Sequence, residues 1–271
     1  MLPQSHTTHN QKTYLALCKL FLTCGVLTVC LWVDGSSQLA RANDIFVDSG
    51  QRLGDGRSNA VVTGDLDDDG DLDAFVANVG ANRVWFNDGS GVLRDGGQSL
   101  GDANSFDVAL GDLDGDGDLD AFVANDGPAS KTWYNNGKGV FSEGASVNDG
   151  GANNAVTLGD VDGDGDLDAV VSDRNSHNMI WINQGRGDFL ANPIRLIGDY
   201  TTGESISLDV SLADMDGDNN LNIVTLMAGS EDPNLGASAG YAIYIEVWDL
   251  AQVSPPYDTD VLESGSSAVF T

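Results

Sequence analysis

Nine residues constrain this chain more than any other stretch: Asp112-Leu113-Asp114-Gly115-Asp116-Gly117-Asp118-Leu119-Asp120, with aspartate at every odd position. Carboxylates packed this closely repel one another strongly unless a cation sits among them. The pattern recurs upstream as Asp65–Asp73, downstream as Asp160–Asp168, and in worn form as Asp214–Asn222. Successive copies begin 47, 48 and 54 residues apart. A period of that length marks one supersecondary unit used repeatedly.

Asn59–Asn78, Phe106–Asn125 and Asn154–Asp173 align as an apolar run, the acidic loop and a second apolar run. An aromatic segment follows in each unit (Arg83–Asn87, Lys131–Asn135, Met179–Asn183), with Trp85, Trp133 and Trp181 spaced by 48. Next come glycine turns, Asn87–Gly91, Asn135–Gly139 and Asn183–Gly187, and outer strands beginning at Val92, Val140 and Phe189. Runs such as Ala121–Ala124 and Ala169–Val171 are too short for helices and rich in β-branched or aromatic residues. Asn-Asp-Gly and Asn-Asn-Gly are hairpin-turn chemistry. Four short strands in about 48 residues predict an all-β protein, a β-propeller of four recognisable four-stranded blades with cation-binding hairpin loops. The tryptophans, at one strand position in every unit, read as packing between blades rather than as sugar-stacking platforms.

The ends of the repeat region are irregular. Met227–Gly240 reads as an enlarged surface loop before a long alternating strand, Tyr241–Trp248. Ile45–Val47 reads as an outer strand ahead of the first unit, and Ser267–Thr271 repeats the phase of Asn59–Thr63, as if opening another unit. Four blades lie at the low end for a closed ring. The propeller is therefore expected to be incomplete, with open blade edges available for self-association.

Alternate aspartates in a tight loop supply the oxygen donors that calcium requires. Positions 1, 3 and 5 are Asp65, Asp67 and Asp69, then Asp112, Asp114 and Asp116, then Asp160, Asp162 and Asp164. Asp71, Asp118 and Asp166 at position 7 are expected to offer backbone carbonyls, and Asp73, Asp120 and Asp168 at position 9 the last carboxylate. Position 12 is Val76, Val123 or Val171, inside an apolar strand, where an EF-hand needs glutamate and a helix. Magnesium prefers few protein ligands and retained water, so the donor set favours Ca2+. In the fourth loop Asp214, Asp216 and Asp218 persist, but Asn220 and Asn222 replace the later aspartates. Three strong sites and one weak one are expected.

Residues 1–42 read as a secretory signal peptide: Lys12 and Lys19, an apolar stretch Leu20–Val33, and a cleavage site at Ala40-Arg41-Ala42. The rest, 43–271, is the repeat region, and no membrane insertion is expected after cleavage. Cys18, Cys24 and Cys30 all lie in the leader, so the exported chain carries no disulfide and needs another source of stability, bound metal. Against 42 acidic residues stand 12 basic ones, a net charge of −30 that argues against nucleic acid as a partner.

The pattern Leu-Gly-Asp-x-Asp-Gly-Asp-Gly-Asp-Leu-Asp-Ala, followed by Asn-x-Gly-x-Gly-x-Phe, resembles FG-GAP/VCBS repeats and is similar to the blades of the integrin α-chain N-terminal propeller. The resemblance covers Ile45 to Thr271 and implies calcium in the hairpin loops on one face. It also implies a secreted or cell-surface module for binding or adhesion, with an extracellular protein or polysaccharide as ligand. The alternative is the scaffold of a calcium-dependent polysaccharide lyase or related carbohydrate-active enzyme. His177 is the one histidine beyond the leader, and no nucleophile elbow is present. No catalytic residue is expected.

Overall fold

The computed structural model describes residues 48–127, 129–147, 151–175, 177–197, 206–230, 241–250, 262–263 and 266–268. The predicted leader and the Ile45–Val47 strand lie outside them. Gln51–Thr271 forms one compact unit. Its described residues are strands, bends and turns, with no helix.

Each repeat makes one antiparallel sheet in meander order. The first contains β1 (Ser58–Gly64), β2 (Asp73–Asn78), β3 (Arg83–Asn87) and β4 (Leu93–Asp95). The second contains β5 (Asn104–Gly111), β6 (Asp120–Asp126), β7 (Ser130–Tyr134) and β8 (Ser142–Val147). The third runs through β9 (Asn153–Gly159), β10 (Asp168–Asp173), β11 (Asn178–Trp181) and β12 (Ile194–Ile197). The fourth has β13 (Ile206–Ala213), β14 (Asn222–Ser230) and β15 (Tyr241–Asp249). Near the C-terminus, β16 (Leu262–Glu263) adds to the third sheet parallel to β12, and β17 (Ser266–Ala268) closes the fourth beside β15. These are four β-propeller blades that do not close into a ring.

Three local readings change. The outer strand of the third sheet starts at Ile194, while Phe189 makes only a bridge to Asn183. A bend before Pro193, whose nitrogen has no proton to donate, postpones the strand. Met227–Ser230 is not loop but the end of β14, because Met227 to Ser230 pair with Tyr244 to Tyr241 and lengthen the hairpin. Ser266–Ala268, which sequence phase placed at the start of a next unit, serves as the outer strand of the fourth sheet.

The second strand of each sheet is apolar on both faces because each middle sheet lies between two others. Ala121 and Val123 of β6 face the first sheet, while Phe122 and Ala124 face the third. The cores therefore lie between sheets. Trp133 packs against Leu66, Phe75 and Val84 of the preceding sheet. Trp181 does the same with Leu113 and Phe122, and Trp248 with Val161, Val170 and Ile180. Two edge-to-face ring pairs cross these seams, Phe75 with Phe141 at 5.4 Å and Phe122 with Phe189 at 5.7 Å.

Glycine permits the closest approach of neighbouring sheets. A Cβ on Gly64 would stand 2.7 Å from Leu119 Cδ1, and one on Gly111 would stand 2.6 Å from Leu167 Cδ1. The leucine at loop position 8 thus seats on the residue just before the preceding loop. A β-bulge recurs at one phase of every inner strand, at Asn59, Phe106, Asn154 and Leu208. From two of these bulges Asn59 and Asn154 donate to Ser105 O and Leu208 O of the next inner strand.

The tryptophans should separate by position. Trp133→Ala is expected to cost about 3–5 kcal/mol, the usual loss for a buried aromatic. Trp85→Ala, at the half-exposed first-sheet position, should cost much less. Chemical denaturation of the calcium-loaded variants measures both.

Candidate metal centres

Every acidic loop connects the first two strands of its sheet. Its backbone is wound by its own carboxylates. Asp112 accepts hydrogen bonds from the amides of Gly115 (2.8 Å) and Gly117 (3.0 Å). Asp114 accepts from Asp116 N (3.2 Å), and Asp116 from Asp118 N (3.0 Å). The turn at position 6 needs a left-handed backbone: Gly70, Gly117 and Gly165 have φ of 92°, 95° and 97°. At position 4 the first loop places Asp68 at φ 60°, where the other loops have glycine, a conformation that costs a side-chain-bearing residue about 1–2 kcal/mol.

Oxygens of Asp65, Asp67 and Asp73 converge within 4.8 Å of one another. The same holds for Asp112, Asp114 and Asp120, and for Asp160, Asp162 and Asp168. Loop positions 1, 3 and 9 therefore meet. Position 5 (Asp69, Asp116, Asp164) is not part of these trios; like position 3 of the second and third loops, it accepts the amide two residues on. The carboxylates of Asp71, Asp118 and Asp166 lie close to Gly89, Gly137 and Gly185 of the adjacent turn.

Position 9 does more than offer an oxygen. Asp120 is fully buried; one of its oxygens accepts from Leu113 N (3.0 Å) and the other from Asn135 N (2.8 Å). Asp168 accepts from Val161 N and Asn183 N in the same way, and Asp73 from Leu66 N and Asn87 N. The asparagines carry the connection onward. Asn135 Nδ2 donates to Leu66 O, and Asn183 Nδ2 to Leu113 O, both 2.8 Å, reaching the preceding loop. Sequence reading missed this link. The signal was present, because Asn87, Asn135 and Asn183 close each aromatic segment, but turn chemistry already accounted for them.

The donors in each trio are carboxylates, a hard all-oxygen set suited to calcium or magnesium rather than to softer metals. Asp67 Oδ1 is shielded from solvent and has no hydrogen-bond donor, which fits an oxygen reserved for a cation. Burial pushes the Asp120 and Asp168 carboxyls up to about 7; the neighbouring amides oppose that rise, and the charges at positions 3 and 5 add to it. Asp67 is also raised, first by burial and then by Asp73, Asp69 and Asp65.

The fourth loop differs as its sequence does. Asp214, Asp216 and Asp218 converge there, all exposed. Asn222 Oδ1 takes over the structural half of the position-9 role by accepting Met215 N at 2.8 Å. Asn220 Nδ2 donates to Asp218 Oδ2 at 2.9 Å, and the Asn220 amides hold the Asp218 carboxyl below its usual range. A cation there would compete with that amide and find one fewer carboxylate.

Repeated meander sheets with aspartate loops at corresponding hairpins, each with carboxylates that could hold a cation, define a β-propeller class of repeat proteins. The FG-GAP-like repeat profile matches residues 65–123, 112–171 and 160–225, and the chain belongs to that family. No curated protein matches it. Solved structures similar to it include an Agrocybe aegerita lectin that recognises non-reducing terminal N-acetylglucosamine (19% identity, TM-score 0.43, 69% of this chain and 56% of that one). Others are BBS1N in complex with ARL6DN (11%, 0.45, 71% and 55%) and the V. cholerae biofilm matrix protein Bap1 (18%, 0.41, 69% and 26%). The chain spans little more than half the length of the first two and about a quarter of the third.

A raised carboxyl favours the protonated form in the folded state. With cations chelated, the stability tied to Asp120 and Asp168 should be fully present below their ordinary value of 3.8 and be lost as pH rises toward about 7. Thermal melts in chelator should show that decline. Melts in excess calcium should not, because the ion holds the carboxylates in their charged form.

Proposed function

We propose that this chain is a secreted, calcium-binding repeat protein that acts as an extracellular binding or adhesion module, with a protein or polysaccharide as ligand. The observation that carries the reading is the recurrence of one carboxylate trio, positions 1, 3 and 9, at the same hairpin of three sheets, with a weaker fourth group. The family supports it, since repeated aspartate loops on one scaffold serve to stabilise and present a surface. Calcium is the ion that best fits a multi-carboxylate loop with a carbonyl donor at position 7. Export is supported by the signal-peptide pattern, and the absence of cysteine after residue 42 leaves metal as the stabilising cross-link. Among the described residues no helix is long and apolar enough to cross a membrane.

In this reading the ion is structural. When bound it neutralises the carboxylates and clamps the loop. Asp73, Asp120 and Asp168 then fix the aromatic strand of their own sheet, and Asn135 and Asn183 pass the constraint to the sheet before. The rigid array leaves its loops and edges free to recognise a partner, as a binding module rather than an enzyme.

Calorimetric titration of the demetallated chain should find three tight calcium sites and one weaker one, matching the four carboxylate groups. Asp162→Asn should weaken one tight site ~10-fold or more by removing a charge, and Asn222→Asp should strengthen the weak one. Chelation should lower the melting temperature by several degrees, since calcium at about 100 times its Kd adds about 2.7 kcal/mol per site. A melt indifferent to chelator would sink the structural-calcium reading. Calcium-dependent cleavage of acidic polysaccharides would replace the binding module with the lyase alternative.

A further inference from the structure

The seam between two sheets has a direction. The later sheet contributes Leu100, Val108, Leu119 and Trp133, and the earlier one receives them on Gly64, Phe75, Ala77 and Val84. One repeat earlier the contributing set is Leu53, Val61, Leu72 and Trp85. Val108, Val156 and Val210 are 5–7% exposed, whereas Val61 is 65% exposed. Leu100 is 4% exposed and Leu53 is 40%; Leu72 is 62% exposed, although Leu119 packs in a seam. The first sheet is prepared for the same contact. Gly54 (φ 68°) lies beside the Trp85 ring as Gly101 (φ 70°) lies beside that of Trp133. Leu53 and Trp85 line a groove of about 370 Å³ with Val76 and Val79.

The fourth sheet carries the complementary face. Val224 pairs with Val247 as Phe75 pairs with Val84, and Val224, Leu226, Ile245 and Val247 are all half-buried. Leu226 stands where the first sheet has Ala77, so volume lost from phenylalanine to valine is recovered from alanine to leucine, the exchange a packed seam tolerates best. Ala213 replaces the receiving glycine of Gly64, Gly111 and Gly159. Its methyl would meet only the tip of a leucine side chain, which can turn aside.

We propose that the first sheet of one chain docks on the fourth sheet of a second copy, continuing the inter-sheet seam from chain to chain. The occupant is a second copy because the described residues present one face of each kind, and the two match by the rule that builds the three internal seams. Such a head-to-tail contact is heterologous: it gives a ring where the rotation closes and a longer series where it does not. Leu72 and Val61 are the side chains it would bury most.

Sedimentation velocity on the full calcium-loaded chain, from about 1 to about 100 μM, tests this over the range in which standard-size interfaces assemble. Reversible dimers or longer series are expected. The double variant V61E/L72E should weaken association ~10-fold or more, and V61E alone, outside the calcium loop, should weaken it in the same direction while leaving calcium stoichiometry unchanged. V224E on the fourth sheet should do the same, with L226Q asking the same question should V224E fail to fold. Mixing the first-sheet and fourth-sheet variants should restore a dimer, because each retains the face the other has lost. A monomer throughout the range, or association that survives V61E/L72E, would overturn the proposal. So would association that V61E/L72E abolishes and neither fourth-sheet variant affects, which would mean pairing of like faces.

Discussion

A buried carboxylate closes each of the first three acidic loops, and the rest of the blade depends on it. Asp120 receives one amide from its own loop and one from the end of β7, so a single side chain ties the loop to two strands. Such a group is costly without compensation, because it sits beside other aspartates and away from water. Two backbone hydrogen bonds offset part of that cost. A divalent cation shared with Asp112 and Asp114 would offset the remainder and turn repulsion into a clamp.

That clamp extends across sheets. Asn135 and Asn183 take their places from the carboxylates behind them and reach the carbonyls of the preceding loops. The leucine at position 8 of the same loops packs into the same seams, on glycine. The carboxylate sites and inter-sheet packing are therefore coupled through shared residues rather than merely adjacent. This suits a chain that has no cysteine after Cys30 and whose apolar core is divided among narrow seams.

Much of the fold was legible because the repeat supplies its own alignment. Aligned in register, Asp65, Asp112 and Asp160 identify the loop, and the alternation around Trp133 and Trp181 identifies a strand whose ring faces a neighbour, whereas Trp85 of the first sheet lines an open groove. Legibility failed where a contact joins one unit to another. Asn135 looks like ordinary turn chemistry until its amide is seen on Leu66 O. The position-5 aspartates look equivalent to positions 1 and 3, yet the carboxylates that come together in the first three loops are those of positions 1, 3 and 9. The boundaries of the third outer strand and the fourth hairpin also moved, since cross-strand pairing decides where a strand ends and periodicity only suggests it.

By itself the sequence determined the β class, the repeated unit, the carboxylate-rich, all-oxygen character of its loops and the loss of two aspartates from the fourth, because all of these are local in spacing and residue type. Only the tertiary structure decided which carboxylates meet, how one loop holds the next sheet, and which faces stay uncovered. Those depend on strand pairing and on sheets packing against sheets, between residues about 50–70 positions apart, a separation that no local pattern encodes.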